Sequence, residues 1–308
     1  MRFLCGLLAL LAATTASAVP AADGRTGPDV GVLVIGRISD DPNAHYAQLK
    51  PLLDYVVARM GDVGIHEGRI LMARDMGQME SYLRRGRVDW VTETSAGAML
   101  LEARAGAERL LLTERNGVRD YHTVFFARRD RGLASVADLA GRTIALQNAS
   151  STSAYYVPAM TLIARGMPME ILLAPRDIPM AGVVGYVFAR SELNIATWVH
   201  KGLVDAGATS SLDWDDPRRM PASYRRDLVP LLETASYPRA VEMVRGDLDE
   251  AVRERLRQVL ASAGDDPEAA QALALFFGTT RFLPLDAATR DALDELKAGA
   301  LRVGAALE

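Results

Sequence analysis

Ser150, Ser151, Thr152 and Ser153 place four hydroxyls in succession, just after the amide of Asn148. They lie between a β-type run, Thr143-Ile144-Ala145-Leu146, and a helix-compatible run over 159–164. A strand that turns into a helix through such residues has a defined chemical use. The first N–H groups of the helix have no partner inside it and carry the positive end of its dipole. Hydroxyl donors beside them complete a pocket for a small anion. The same residue types also cap any helix, so the stretch reads either as an anion site or as an ordinary cap.

Other chemistries are poorly supplied. The histidines are His45, His66, His122 and His200, and no pair has metal-ligand spacing. The single cysteine, Cys5, falls in an N-terminal leader, so no metal site and no cofactor is expected. Ser151, His122 and Asp205 could be drawn as a triad, but no Gly-x-Ser-x-Gly elbow frames the serine. The segment from Gly31 to Gly36 lacks the lysine of a phosphate-binding P-loop.

With 308 residues, 49% of them hydrophobic, the chain is long enough for two domains with sizeable cores. The formal net charge is -4 and the pI about 5.7, which argues against nucleic acid as a partner. Arg2, the apolar run 3–13 and Ala16-Ser17-Ala18 read as a signal peptide over residues 1–18. Export to the periplasm is the expectation, and a mature chain without cysteine must be held together by its core alone.

The elements that must position the hydroxyl stretch follow from hydrophobic spacing. Residues 31–35, 70–72 and 88–91 read as strands; 46–60, 76–84 and a segment from 92 to about 105 read as helices. Strand and helix alternate through the first hundred residues, which predicts a mainly parallel sheet flanked by helices. The pattern restarts with strands at 110–113, 121–127, 143–146, 183–188 and 204–208, a short helix at 132–139 and a longer one at 191–200. Strands at 228–234 and 240–244 return. Helices at 248–261, 267–277 and 286–308 close the chain.

Taken together, these residues resemble the periplasmic phosphate-, phosphite- and phosphonate-binding proteins that serve ABC transporters. The resemblance rests on Ser151-Thr152-Ser153 closing in Val157-Pro158, downstream of Ser135-Val136-Ala137-Asp138-Leu139-Ala140-Gly141-Arg142. It also rests on Val204-Asp205-Ala206-Gly207 with Leu212-Asp213 beyond, and on Tyr121 opening Tyr121-His122-Thr123-Val124-Phe125. It implies an α/β, two-lobed periplasmic-binding-protein fold (type II, Venus flytrap), with lobe 1 over 28–120 and 210–308 and lobe 2 over 121–209. Ser151, Thr152 and Ser153 would grip the oxyanion, Tyr121 would donate from across the cleft, and Asp205 and Tyr46 would join the ligand-binding set. Two positions depart from the family pattern: Glu93 stands where an aromatic is usual and Glu192 where a histidine is. If both face the cleft, a bare dianion is repelled. A zwitterion such as an aminophosphonate, a protonated oxyanion such as phosphite, or a neutral oxyacid is then favoured. The implied role is a monomeric solute-binding protein docking on a membrane permease. The alternative is a sensor of the same fold docking on a membrane histidine kinase, with a periplasmic enzyme a third reading.

Overall fold

The computed structural model describes residues 31–307; the expected signal peptide and Cys5 lie outside the described residues. The chain opens with β1 (Val32–Ile38), α1 (Pro42–Val57), β2 (Glu67–Ala73), α2 (Met76–Arg84), β3 (Trp90–Thr94), α3 (Ser95–Ala105) and β4 (Glu108–Arg115). Residue types set the helix starts. Asp41 accepts from the Ala44 N–H ahead of Pro42, and Asp75 from the Gln78 N–H, satisfying amides that a first turn leaves unpaired. α1 then buries Leu49, Leu52, Leu53 and Val56, a stripe at helical spacing.

The chain continues through β5 (Asp120–Tyr121), β6 (Thr123–Arg128), β7 (Thr143–Leu146), a π-helical turn (Thr152–Tyr156) and α4 (Val157–Ile163). β8 (Met169–Ile171), β9 (Val184–Phe188), α5 (Glu192–His200) and β10 (Ala206–Ser210) come next. α6 (Ser211–Asp215), α7 (Ala222–Arg225) and β11 (Leu228–Glu233) lead to β12 (Tyr237–Pro238) and β13 (Ala240–Val244). α8 (Glu250–Ala263), α9 (Ala270–Leu275), β14 (Thr279–Leu283) and α10 (Ala287–Leu307) complete it.

Two six-stranded sheets form, ordered β14-β4-β13-β3-β1-β2 and β11-β6-β10-β7-β9-β8, with a separate β12-β5 ladder. Both are mixed. In the second, β10, β7, β9 and β8 run parallel, β6 runs against them, and β11, antiparallel to β6, runs with them again. In the first, β1 is parallel to β2 and β3, but the returning strand β13 lies antiparallel between β3 and β4, and β14 is antiparallel to β4. Four of its six strands thus share one direction, and β13 and β14 run against them, giving a mixed, mainly parallel sheet as expected. β13 comes straight from the crossing beside the carboxyl end of β3 and must run the other way.

The chain passes between the sheets on either side of the β5–β12 ladder, where Tyr121 pairs with Tyr237 and their rings meet edge-on at 4.8 Å. The expected boundary at residue 210 needs correction. β11 pairs with β6 over Leu228–Glu233, so the second sheet extends well past 209. α10 straddles the two parts: Leu293 packs in one apolar cluster with Met79 and Val91, while Leu296, Ala300 and Val303 pack in another with Leu146 and Leu162. Residues 267–277, expected as one helix, are a 3₁₀ turn (Pro267–Ala269) followed by α9.

Candidate ligand-binding site

The strand directions bring the carboxyl ends of β1, β3 and β4 to one edge of the first sheet, and those of β7, β9 and β10 to one edge of the second. Such carboxyl-end crevices are where open α/β sheets bind ligands. Between the two edges lies a cavity of about 350 Å³.

Its second-sheet wall carries the hydroxyl stretch. Ser151, Thr152 and Ser153 all line the cavity, with Thr152 buried and Ser153 nearly so. Ser151 caps the π-helical turn, its Oγ accepting from the Ala154 N–H at 3.1 Å. Thr152 reaches across to the other sheet's elements: its Oγ1 accepts from the Ala96 N–H, in the first turn of α3, at 3.0 Å. The turn is thus a cap and a cavity wall at once. Tyr121 lines the cavity from the crossing; burial pushes its phenol up to about 12, so it enters as a neutral donor. Behind it, Thr123 Oγ1 donates to the Ser153 carbonyl at 2.8 Å, leaving Tyr237 to donate to Thr123.

The first-sheet wall carries three arginines that the sequence reading did not single out: Arg37 ending β1, Arg115 ending β4, and Arg239 just before β13. Arg37 Nη1 donates to the Thr92 carbonyl at 2.9 Å and stands 3.7 Å from Glu93. Arg115 Nη2 donates to Thr92 Oγ1 at 3.2 Å. Arg239 Nη1 donates to the Arg115 carbonyl at 2.9 Å. Neither Arg115 nor Arg239 has a carboxylate within ion-pair distance among the described residues. Burial lowers the Arg239 guanidinium; burial, reinforced by the nearby Arg37 charge, brings Arg115 down to about 10. One rule would have found Arg37 and Arg115 from sequence: both end strands whose carboxyl ends must meet the crevice.

Glu93 and Glu192 both line the cavity, but in different states. Glu93 folds back on α3, its Oε1 accepting from the Thr94 N–H at 2.7 Å and the Thr94 hydroxyl at 3.2 Å. Gly97 makes room, since a Cβ there would sit 2.6 Å from Glu93 Cγ. Its charge is met by a helix N-terminus and by Arg37, so it is no open repeller of anions. Glu192, at the start of α5, accepts from Gln147 Nε2 at 2.5 Å, with Arg219 3.7 Å away. Asp213 on α6 joins it in the wall, accepting from Ser210 Oγ at 2.5 Å. Burial raises both carboxyls, and Asp213 raises Glu192 further.

Two expected site residues lie elsewhere. Asp205 precedes β10, at the amino-terminal edge of the second sheet and a whole strand away from the cavity. It accepts from the Thr143 N–H at 3.0 Å and the Thr143 hydroxyl at 2.9 Å, tying β10 to β7. The Ser151–His122–Asp205 triad fails on the same geometry. Tyr46 is exposed on the first turn of α1, outside the cavity wall. No group of three His, Cys, Asp or Glu that could hold a metal is present among the described residues.

The family model described as "ABC transporter, phosphonate, periplasmic substrate-binding protein" matches residues 35–289. XAC2383 from Xanthomonas citri, in a structure bound to chloride ion, is 56% identical over 89% of this chain and 99% of that one, with TM-score 0.85. Its structure bound to ATP is 55% identical over 90% of this chain and 100% of that one, also at 0.85. PhnD1 from Prochlorococcus marinus, in complex with methylphosphonate, shares the fold at 15% identity and TM-score 0.61, over 89% of this chain and 98% of that one. The family is one of transporter components that bind a solute in the periplasm. A model matched over most of the chain and a relative more than half identical place this protein in the family of periplasmic substrate-binding proteins of phosphonate ABC transporters.

Proposed function

We propose that this chain captures an organic phosphate or phosphonate whose organic part carries hydrogen-bond donors, and presents it to the permease of an ABC transporter. The observation that carries the reading is the separation of charge across one cavity. Arg37, Arg115 and Arg239 stand on the first-sheet side, and Glu192 and Asp213 on the second-sheet side, next to the hydroxyl turn. Arg115 and Arg239, guanidiniums without closing carboxylates, suit phosphoryl oxygens. Ser151 and Thr152 use their oxygens as acceptors inside the protein, which leaves their O–H groups to donate to phosphoryl oxygens. Glu192 and Asp213 can only accept when ionised, so they suit an amine or a hydroxyl on the ligand. The cavity, about 350 Å³, holds roughly ten waters' worth of volume, more than a bare phosphite fills. The ATP in the structure of XAC2383 falls in this class, and the methylphosphonate in that of PhnD1 shares its phosphoryl group.

The test is a melting and calorimetry screen of the mature chain against phosphite, phosphate, methylphosphonate, 2-aminoethylphosphonate and ATP. A ligand that binds only the folded state raises Tm by mass action. Donor-bearing phosphonates or phosphates are expected to raise Tm most. A folded protein whose Tm moves with none of the five would sink the reading.

A further inference from the structure

Behind the arginine wall stands Phe277. Two guanidiniums pack against its ring, with Arg37 Cζ 5.0 Å and Arg115 Cζ 4.8 Å from the ring centroid. Both distances fall in the range of cation–π attraction. Phe277 itself holds φ at 55°, in the left-handed region that a bulky residue avoids. The conformation is held in place: the Phe277 N–H donates to the Leu275 carbonyl at 2.8 Å, and the Asn116 N–H to the Gly278 carbonyl at 2.7 Å. Backbone strain of this kind persists where its surroundings fix it, and it gathers at binding sites.

The two arginines are fixed from below as well. Thr92 Oγ1 accepts from Arg115 and donates to Glu242 Oε1 at 2.8 Å. Glu242 is fully buried and also accepts from Trp90 Nε1 at 2.6 Å and Thr113 Oγ1 at 2.5 Å. Yet the Nε atoms of both Arg37 and Arg115 are buried without a hydrogen-bond partner among the described residues. Arg115 is only 7% exposed. Unmet donors on a buried charge are costly, and both side chains border the cavity.

From these contacts we infer a second anion subsite in the cleft, built by Arg37 and Arg115 on the Phe277 ring, so that the protein favours ligands carrying two or more linked phosphoryl groups. This rests on the phosphorus-oxyanion reading above and deepens it. The first subsite is the Ser151–Thr152 turn against the start of α3; the second is the arginine pair. Thr92, which holds Arg115, and Ala96, which holds Thr152, are four residues apart. They can be separated by at most about 14 Å of chain, and both receptors open on the same void. One phosphoryl group engages one receptor; a linked second group engages the other, between two like charges whose mutual repulsion it relieves. Phe277 lies outside the cavity wall and acts as a positioning residue that holds both guanidiniums by cation–π contact.

Calorimetry with inorganic phosphate, pyrophosphate and methylphosphonate tests this on the unaltered chain, with phosphoryl count isolated from any organic part. Pyrophosphate is expected to bind about tenfold or more tighter than phosphate, the scale of added charge-assisted hydrogen bonds. Phe277→Ala should bring that ratio close to one, and Phe277→Tyr, which keeps the ring, should retain it. General damage to the fold would weaken both ligands and leave the ratio standing. If methylphosphonate binds but pyrophosphate is no tighter than phosphate, or if the ratio survives in Phe277→Ala, the second subsite is overturned and the first reading stands. If none of the three binds to folded protein, the second subsite is overturned, and the first reading falls with it only if 2-aminoethylphosphonate and ATP also fail to bind.

Discussion

The second sheet has a cavity at each end, and the two are built from similar residues. At the carboxyl edge, Arg37, Arg115 and Arg239 face Glu192, Asp213 and the hydroxyl turn across about 350 Å³. At the amino edge, Arg131, Arg142 and Arg176 border about 300 Å³ beside Asp177, Asp205 and Thr143. What differs is whether the polar groups are already satisfied. At the amino edge Asp205 is taken by Thr143, with Arg142 3.7 Å away. Asp177 accepts from the N–H groups of Leu173 and Ala174 at 3.1 and 2.8 Å. At the carboxyl edge the buried Arg115 and half-buried Arg239 guanidiniums have no carboxylate partner among the described residues, and two carboxyls are held above their ordinary range. Residue type does not distinguish a site from a brace; unmet bonding capacity in a concave, buried place does.

The comparison is broken most forcefully at the hydroxyl turn. Ser151→Ala with Thr152→Ala removes two hydroxyls that face the cavity. Affinity for the best phosphonate or phosphate should fall by about 3 kcal/mol or more, since hydrogen bonds to charged groups carry about 1.5–3 kcal/mol each. Unchanged affinity by calorimetry would mean the turn is a cap alone.

Next in size is Asp205→Ala. It strands the Thr143 N–H and hydroxyl at the other edge, so unfolding free energy in denaturant should drop by about 1–3 kcal/mol, with ligand affinity unaltered. Loss of affinity at constant stability would put Asp205 back among the binding residues.

A smaller effect is expected at Glu192, and its sign follows from the raised carboxyl. A folded-state carboxyl above its unfolded value contributes fully below the ordinary carboxyl range, and that contribution is lost as pH climbs through the raised value. Glu192→Gln should therefore melt higher than the parent near neutral pH, with the gain shrinking as the solution is acidified. A gain that grows on acidification would contradict burial as the cause. For the same reason, an amine-bearing ligand should release protons on binding, visible as a buffer-dependent calorimetric enthalpy.

Arg142→Ala completes the series as the smallest change. Arg142 is half exposed and its contact with Asp205 is long, so stability should change by less than about 0.5 kcal/mol. A measurable loss of ligand affinity would show that the amino-edge cavity communicates with the cleft.

Much of this was legible in the residue order. The alternation up to α3 and α2 over Met76–Arg84 follow from local spacing. The hydroxyl turn was legible because all its residues are adjacent in the chain. β14 and β8 were not foreseen: each is short, and each forms by pairing with a strand whose sequence lies elsewhere. The arginines were missed because Arg37, Arg115 and Arg239 come from three separate segments, each unremarkable in isolation.

By itself, the sequence determined the local pieces: which runs are strands, where helices start, and that Ser151, Thr152 and Ser153 sit between a strand and a helix. Those outcomes depend on neighbours a few residues away. Only the tertiary structure decided which edge of a sheet each polar residue reached. Asp205 and Ser210 bound the same short strand, yet one braces the scaffold and the other borders the cleft. Strand direction and the pairing of β13 with β3 set that difference, and both arise from contacts between residues far apart in the chain.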